Sequence, residues 1–222
     1  TLVVDPGTGM TDKGLYDVGI YATRGTDEMA SDDGQFGVAF KYYAESLNAT
    51  EFGLYYMTYH SRLPYASAEA GQFNGPGAIP DTPFVPASGA TEALAAVYNP
   101  KYHTAYPEDI QLFGLSFNTT VSEWAVSGEV SHRLDLPLQI NGADLLASAL
   151  SNADGSPLTP EYREAGAGDT VDGFHRFDYT QSQLTFIKFF DKALGTDRIT
   201  TVAELGYGHV WDLDESDGAI KY

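Results

Sequence analysis

Period-2 alternation dominates the chain. From Gln35 to Glu45, Phe36, Val38, Phe40, Tyr42 and Ala44 fall on one side and Gln35, Gly37, Ala39, Lys41, Tyr43 and Glu45 on the other. That pattern describes a strand with one apolar and one polar face. A short turn at Ser46–Ala49 leads into a second strand over 51–62, where Phe52, Leu54, Tyr56 and Thr58 alternate with Gly53, Tyr55, Met57 and Tyr59. The pattern returns over 110–121, with Phe113, Leu115 and Phe117 set against Gly114, Ser116 and Asn118. After a turn near Thr120–Ser122 it continues over 124–133, with Trp124, Val126 and Val130 against Ala125, Ser127, Glu129, Ser131 and Arg133. A third pair spans 174–190 and 198–211, turning at Ala193–Thr196. The strand over 174–190 alternates less regularly, as a β-bulge would produce.

Three hairpins of long strands and minimal turns therefore follow one another. Between them lie long connections at 63–108, rich in Pro, Gly and Ala, and at 135–172, with a short amphipathic helix expected at 143–150. Connections beyond about 15 residues are uncommon inside compact domains. Strict alternation of tight turns and long loops is the habit of outer-membrane barrels, as are strands of about 10 residues or more. Tyr and Trp residues placed near strand ends (Tyr56, Tyr59, Trp124, Tyr179, Tyr207, Trp211) suit the aromatic girdles of such barrels. The expected fold is all-β, an antiparallel meander of long hairpins forming part of a transmembrane outer-membrane β-barrel, with 1–222 as a single segment. The competing reading is a large soluble sandwich with Tyr-rich strands.

Composition sharpens this picture. Twelve Lys and Arg against 31 Asp and Glu give a net charge of −19, yet only 19% of residues are charged and 13% are aromatic. Such a chain is not a disordered acidic tail, and without a basic stripe it is not a nucleic-acid binder. The absence of cysteine excludes disulfide scaffolds, thiol catalysis and thiolate metal sites. No run approaches the roughly 20 apolar residues of a spanning helix, which leaves a strand-built membrane protein open.

Several stretches are also familiar as words. Ser31–Ala39 (SDDGQFGVA), Asn48–Met57 (NATEFGLYYM), His60–Pro64 (HSRLP), Tyr106–Thr119 (YPEDIQLFGLSFNT), Trp124–Glu129 (WAVSGE) and Leu136–Asn141 (LPLQIN) form the set. Together they resemble the "domain of unknown function 1302" family of proteobacterial proteins, over about residues 22–142 and more loosely through 211. The resemblance implies a β-barrel in the Gram-negative outer membrane and a porin-like transport role, beside exporters of hydrophobic compounds. It brings no established catalytic residues. Members are far longer, so the chain reads as an internal fragment, and six strands fall short of the 8 or so that close a barrel.

The chemistry-bearing residues are read one group at a time. His60 and Ser61 invite a hydrolase reading, but adjacent strand residues point to opposite faces and cannot form a dyad. His60, His103, His132, His175 and His209 lack metal-ligand spacing, so no metal and no cofactor are expected. Asp212–Gly218 resembles a calcium loop with the glycine one place late and without the closing Glu. Asn48 and Asn118 match the glycosylation acceptor pattern and signal turns. Lys41, Glu45, Tyr55, Glu129, Arg133 and Glu204 lie opposite the apolar stripe and would line the lumen of a barrel. There Lys41 and Arg133 are expected to pair with Glu45, Glu129 or Glu204.

The expected function is a passive channel or exporter component for small molecules, hydrophobic ones among them, without covalent chemistry. Its partners would be outer-membrane lipid, lipopolysaccharide and a periplasmic or inner-membrane exporter. A non-conducting, surface-binding barrel with acidic extracellular loops ranks second, and a lipid-active hydrolase third.

Overall fold

The computed structural model describes residues 22–70, 100–145, 168–214, 216 and 219–222, with 13, 158 and 165 as isolated positions. The regular structure described is β, apart from residue 13 and a helical turn at 142–145. In chain order the strands are β1 (Thr23–Arg24), β2 (Phe36–Ala44), β3 (Thr50–Tyr59), β4 (Tyr65–Glu69), β5 (Lys101–Ala105), β6 (Ile110–Val121), β7 (Trp124–Gln139), β8 (Thr170–Val171), β9 (Phe174–Asp191) and β10 (Arg198–Val210).

The six long strands form one sheet in the order β10-β9-β7-β6-β3-β2, every neighbour antiparallel. The turns β2–β3, β6–β7 and β9–β10 all lie at one end of it. Each uses left-handed backbone to reverse quickly, at Asn48 and Ala49, at Ser122, and at Lys192, Leu194 and Gly195. Among the described residues the sheet is open, with β2 and β10 as its edges.

The structure corrects both long loops. The stretch 63–108 carries β4 and β5 at its described ends, while 71–99 lie outside the described residues. The stretch 135–172 begins inside β7, which runs on to Gln139 rather than stopping at Arg133, and it ends with β8. A bulge between Arg133 and Leu136, with Asp135 at φ 58°, carries the strand past Pro137. Beyond it the pairing becomes Leu136↔Phe177 and Leu138↔His175, so Leu136 and Leu138 move to the side opposite Val130 and Val126. At the expected helix, Asn141 Oδ1 accepts from the Ala143 amide at 2.9 Å, an N-cap. The remainder of 143–150 lies outside the described residues.

The short strands pair in the order β1-β5-β4-β8, with β1 parallel to β5 and the other pairs antiparallel. This small sheet stands at the end away from the tight turns and holds the core: Ala68, Ala70, Ile140, Leu145, Leu158 and Val171 are all buried there. Polar clips join it to the large sheet. Tyr65 donates its hydroxyl to Pro137 O at 2.9 Å, and burial pushes that phenol above its ordinary pKa. Gln139 Nε2 donates to Gly173 O at 2.6 Å, and the Gly173 amide donates to Ser67 Oγ at 3.0 Å.

Candidate functional site

Cross-strand register sorts the large sheet into two faces. On one, successive rows read Phe40-Leu54-Leu115-Val130-Ser182-Tyr207, Tyr42-Phe52-Phe117-Gly128-Leu184-Leu205 and Ala44-Thr50-Thr119-Val126-Phe186-Ala203. On the other they read Ala39-Tyr55-Gly114-Ser131-Gln181-Gly208, Lys41-Gly53-Ser116-Glu129-Gln183-Gly206 and Tyr43-Glu51-Asn118-Ser127-Thr185-Glu204. Alternation within each strand thus becomes segregation across six strands.

The apolar face is uncovered. Phe40 is 67% exposed, Tyr42 68% and Leu205 64%, and of these rows only Ala44 belongs to the buried apolar set. The band runs along β7 from His132 to Trp124, eight residues or about 27 Å along the strand. With a tilt of about 40° its height is roughly 21 Å, close to the lipid-facing band of an outer-membrane barrel. A soluble protein seldom exposes so much contiguous apolar surface.

The polar face holds five of the six residues singled out for a lumen, Lys41, Tyr55, Glu129, Arg133 and Glu204, while Glu45 falls in the turn after β2. Their partners differ from those expected. Lys41 Nζ donates to Glu51 Oε1 at 3.0 Å, because its long stem reaches the neighbouring row diagonally across β3. Arg133 donates to Gln181 Oε1 at 3.4 Å and stacks on Tyr179, 5.7 Å from the ring centroid, so its partners are neutral. Glu204 accepts from Gln183 Nε2 and, at 3.4 Å, from Thr185 Oγ1. Glu45 and Glu129 form no ion pair among the described residues. Glycines let rings lie flat on this wall: a Cβ on Gly53 would strike the Tyr55 hydroxyl, and one on Gly208 would meet the Tyr179 hydroxyl at 2.5 Å. The face also carries Ile187, Phe189 and Val202 near the tight turns.

The aromatic belt divides between the faces. Tyr56, Trp124, Tyr207 and Trp211 are on the apolar side, where Tyr56 packs with Phe36 and Phe113. Tyr207, His209 and Trp211 form a ladder there, and Trp211 Nε1 donates to Thr180 Oγ1 at 2.8 Å. Tyr59 and Tyr179 fall on the polar side by register, a correction to their assignment as belt residues. Position near a strand end does not determine facing; parity does.

The residues behind the hydrolase reading are engaged elsewhere. Buried His60 accepts the Asp109 amide at Nδ1, 3.1 Å, and its Nε2 lies 2.6 Å from Asp33 O, which fixes a neutral ring donating from Nε2. Ser61 Oγ closes its own turn with Leu63. No group of three or more His, Asp or Glu among the described residues is placed to hold a metal ion. In the acidic loop, Asp214 accepts the Ser216 amide, which holds its carboxyl below the ordinary range. No helix among the described residues is long and apolar enough to cross a membrane.

Sequence reasoning missed Glu51 as the partner of Lys41, for which the diagonal of the tight hairpin was the available signal. It also missed the polar cleft beside the small sheet, about 720 Å³, lined by Arg24, Asp27, Glu69, Lys101 and His103 among others. The chain is matched over residues 3–221 by a family model described as a protein of unknown function (DUF1302). No curated protein and no solved structure matches it.

Proposed function

The chain belongs to the DUF1302 family of proteins of unknown function, and from that membership and the two-faced sheet we propose that it forms an arc of an outer-membrane β-barrel acting as a passive channel or exporter component for small molecules. The observation that carries this reading is the uncovered apolar face over six strands, with the buried apolar cluster gathered beside the small sheet. Lipid is the solvent that makes such a face favourable. The reverse face supplies hydroxyls, amides and a Lys41–Glu51 pair suited to an aqueous lumen. The edges β2 and β10 call for further strands, because an open ladder in hydrocarbon leaves amides and carbonyls unpaired.

The test is reconstitution of the full-length protein into planar bilayers. Stepwise conductance, or solute flux from liposomes, is the expected result. A protein that folds and inserts yet passes neither ions nor solutes refutes the channel. That outcome favours the second reading, a surface-binding barrel, which the small sheet and its polar cleft at the long-connection end support.

A further inference from the structure

The apolar face carries one feature that a passive lipid-facing wall does not require. Between Asp178 and the tight turns, its positions hold a single Lys, Arg, Asp or Glu side chain, Lys188. Lys188 stands opposite Trp124 in the row nearest the β6–β7 turn. Its side chain is only 19% exposed, and Nζ lies 5.4 Å from the Trp124 ring centroid and 5.0 Å from that of Phe190. It also reaches Glu123 Oε2 at 3.0 Å, on a turn residue whose own side chain is 75% exposed. The ammonium is thus held between two rings at the upper limit of the apolar band, a geometry that favours a partly desolvated cation.

Further along the same face lies a depression. The Phe117 ring and Leu184 lie over Gly128, and beside them Phe40, Leu54, Leu115, Val130 and Leu184 border the depression, a volume of about 670 Å³. From Lys188 to Leu184 is four residues, about 13 Å along β9. Val126 and Phe186 fill the row between. A cation flanked by aromatics, then one apolar row, then an apolar hollow matches an anionic headgroup with a hydrocarbon tail attached.

We propose that Lys188, Trp124 and Phe190 bind the phosphate of a glycerophospholipid in the leaflet at the tight-turn end, one acyl chain of which runs past Val126 and Phe186 into the hollow bordered by Leu115, Val130 and Leu184. The proposal rests on the barrel reading, and it makes Glu123 a competitor for the ammonium rather than its purpose. A local turn brace would make Glu123 essential instead.

The experiment uses the full-length protein folded in detergent micelles, with phosphatidylglycerol added, and counts retained lipid by native mass spectrometry. Folding is checked first by heat-modifiable gel mobility; a protein that never folds in micelles overturns the barrel reading itself. For a folded protein, Lys188→Gln should lower retention about fivefold, the effect of one lysine near an anionic membrane surface. Val130→Trp, which fills the hollow, should lower it as well, and Glu123→Gln should leave it equal or higher. Equal retention by wild type and Lys188→Gln overturns the site. So does loss of retention in Glu123→Gln, which marks a brace only. Displacement of the lipid by inorganic phosphate, or preference for lipid A, overturns the assignment to glycerophospholipid.

Discussion

Replacing Leu115 with Arg separates a lipid-facing sheet from a water-facing one. Leu115 sits near the middle of β6, a strand of 12 residues, in the row with Leu54 and Val130. At about 3.4 Å per residue and a tilt of about 40°, β6 covers roughly 31 Å of membrane normal, which puts Leu115 close to the midplane. Arginine at that depth on a lipid face costs about 2–4 kcal/mol. At 1.4 kcal/mol per decade the folding equilibrium falls roughly 30- to 700-fold. In water the outcome is different: Leu115 is 55% exposed, and surface substitutions of that kind stay within about ±0.5 kcal/mol. Asn118→Arg, three residues on and facing the other way beside Glu51, is the control and should be near neutral. The assay is urea-dependent folding of the full-length protein into phosphatidylcholine vesicles, followed by tryptophan fluorescence. Leu115→Arg no worse than Asn118→Arg would refute the assignment of faces.

Two further outcomes follow from the clips around the small sheet. His60→Ala removes the partner of the Asp109 amide and of the Asp33 carbonyl, and because both residues are exposed and can turn to water the loss is about 0.5–1.5 kcal/mol each; hydrogen exchange should accelerate at Asp109, and an unchanged rate there would count against the clip. Asp27 accepts the Thr104 amide at 2.9 Å and pairs with Arg24, so its carboxyl is held below the ordinary value of 3.8. Because the folded value is lowered, its support for the β1–β5 edge is present above that ordinary value and lost as pH falls through the lowered one. Protease cleavage near Thr104 should therefore rise on acidification from about pH 6 to pH 2 in wild type, and Asp27→Asn should flatten that dependence.

The long strands were legible because alternation is a local signal: each residue of β2 and β10 announces its face through its neighbours two places away. The small sheet was not. β4 and β5 have five residues each, too few to establish a period, and β8 has two. Their partners lie far off in sequence, as in Glu69↔Thr170 and Thr23↔Lys101. The strand expected over 124–133 stops at Arg133, because its alternation breaks there; proline cannot donate to a ladder, yet the bulge at Asp135 lets β7 run on and carry Pro137. The site was legible by face and not by partner. Lys41, Tyr55, Glu129, Arg133 and Glu204 share one side, whereas the pairing of Lys41 with Glu51 depends on register, and that of Arg133 with Gln181 and Tyr179 on contacts between β7 and β9.

β7 and β9 have 16 and 18 residues, about 54 and 61 Å of strand, and even tilted by about 40° they outreach a hydrocarbon core of about 30 Å. Their projecting ends carry the small sheet through Tyr65, Gln139 and Gly173. Among the described residues these hydrogen bonds join the two sheets directly, so on the channel reading a ligand that displaces the small sheet would be expected to move the strands that wall the polar face. The bulge then sets what that projecting stem offers. Beyond Asp135 the side continuous with the polar wall bears Leu136, Leu138 and Phe177 beside His175, so on the proposed channel reading a solute travelling along that wall toward the long-connection end would meet a largely apolar collar after a wet passage.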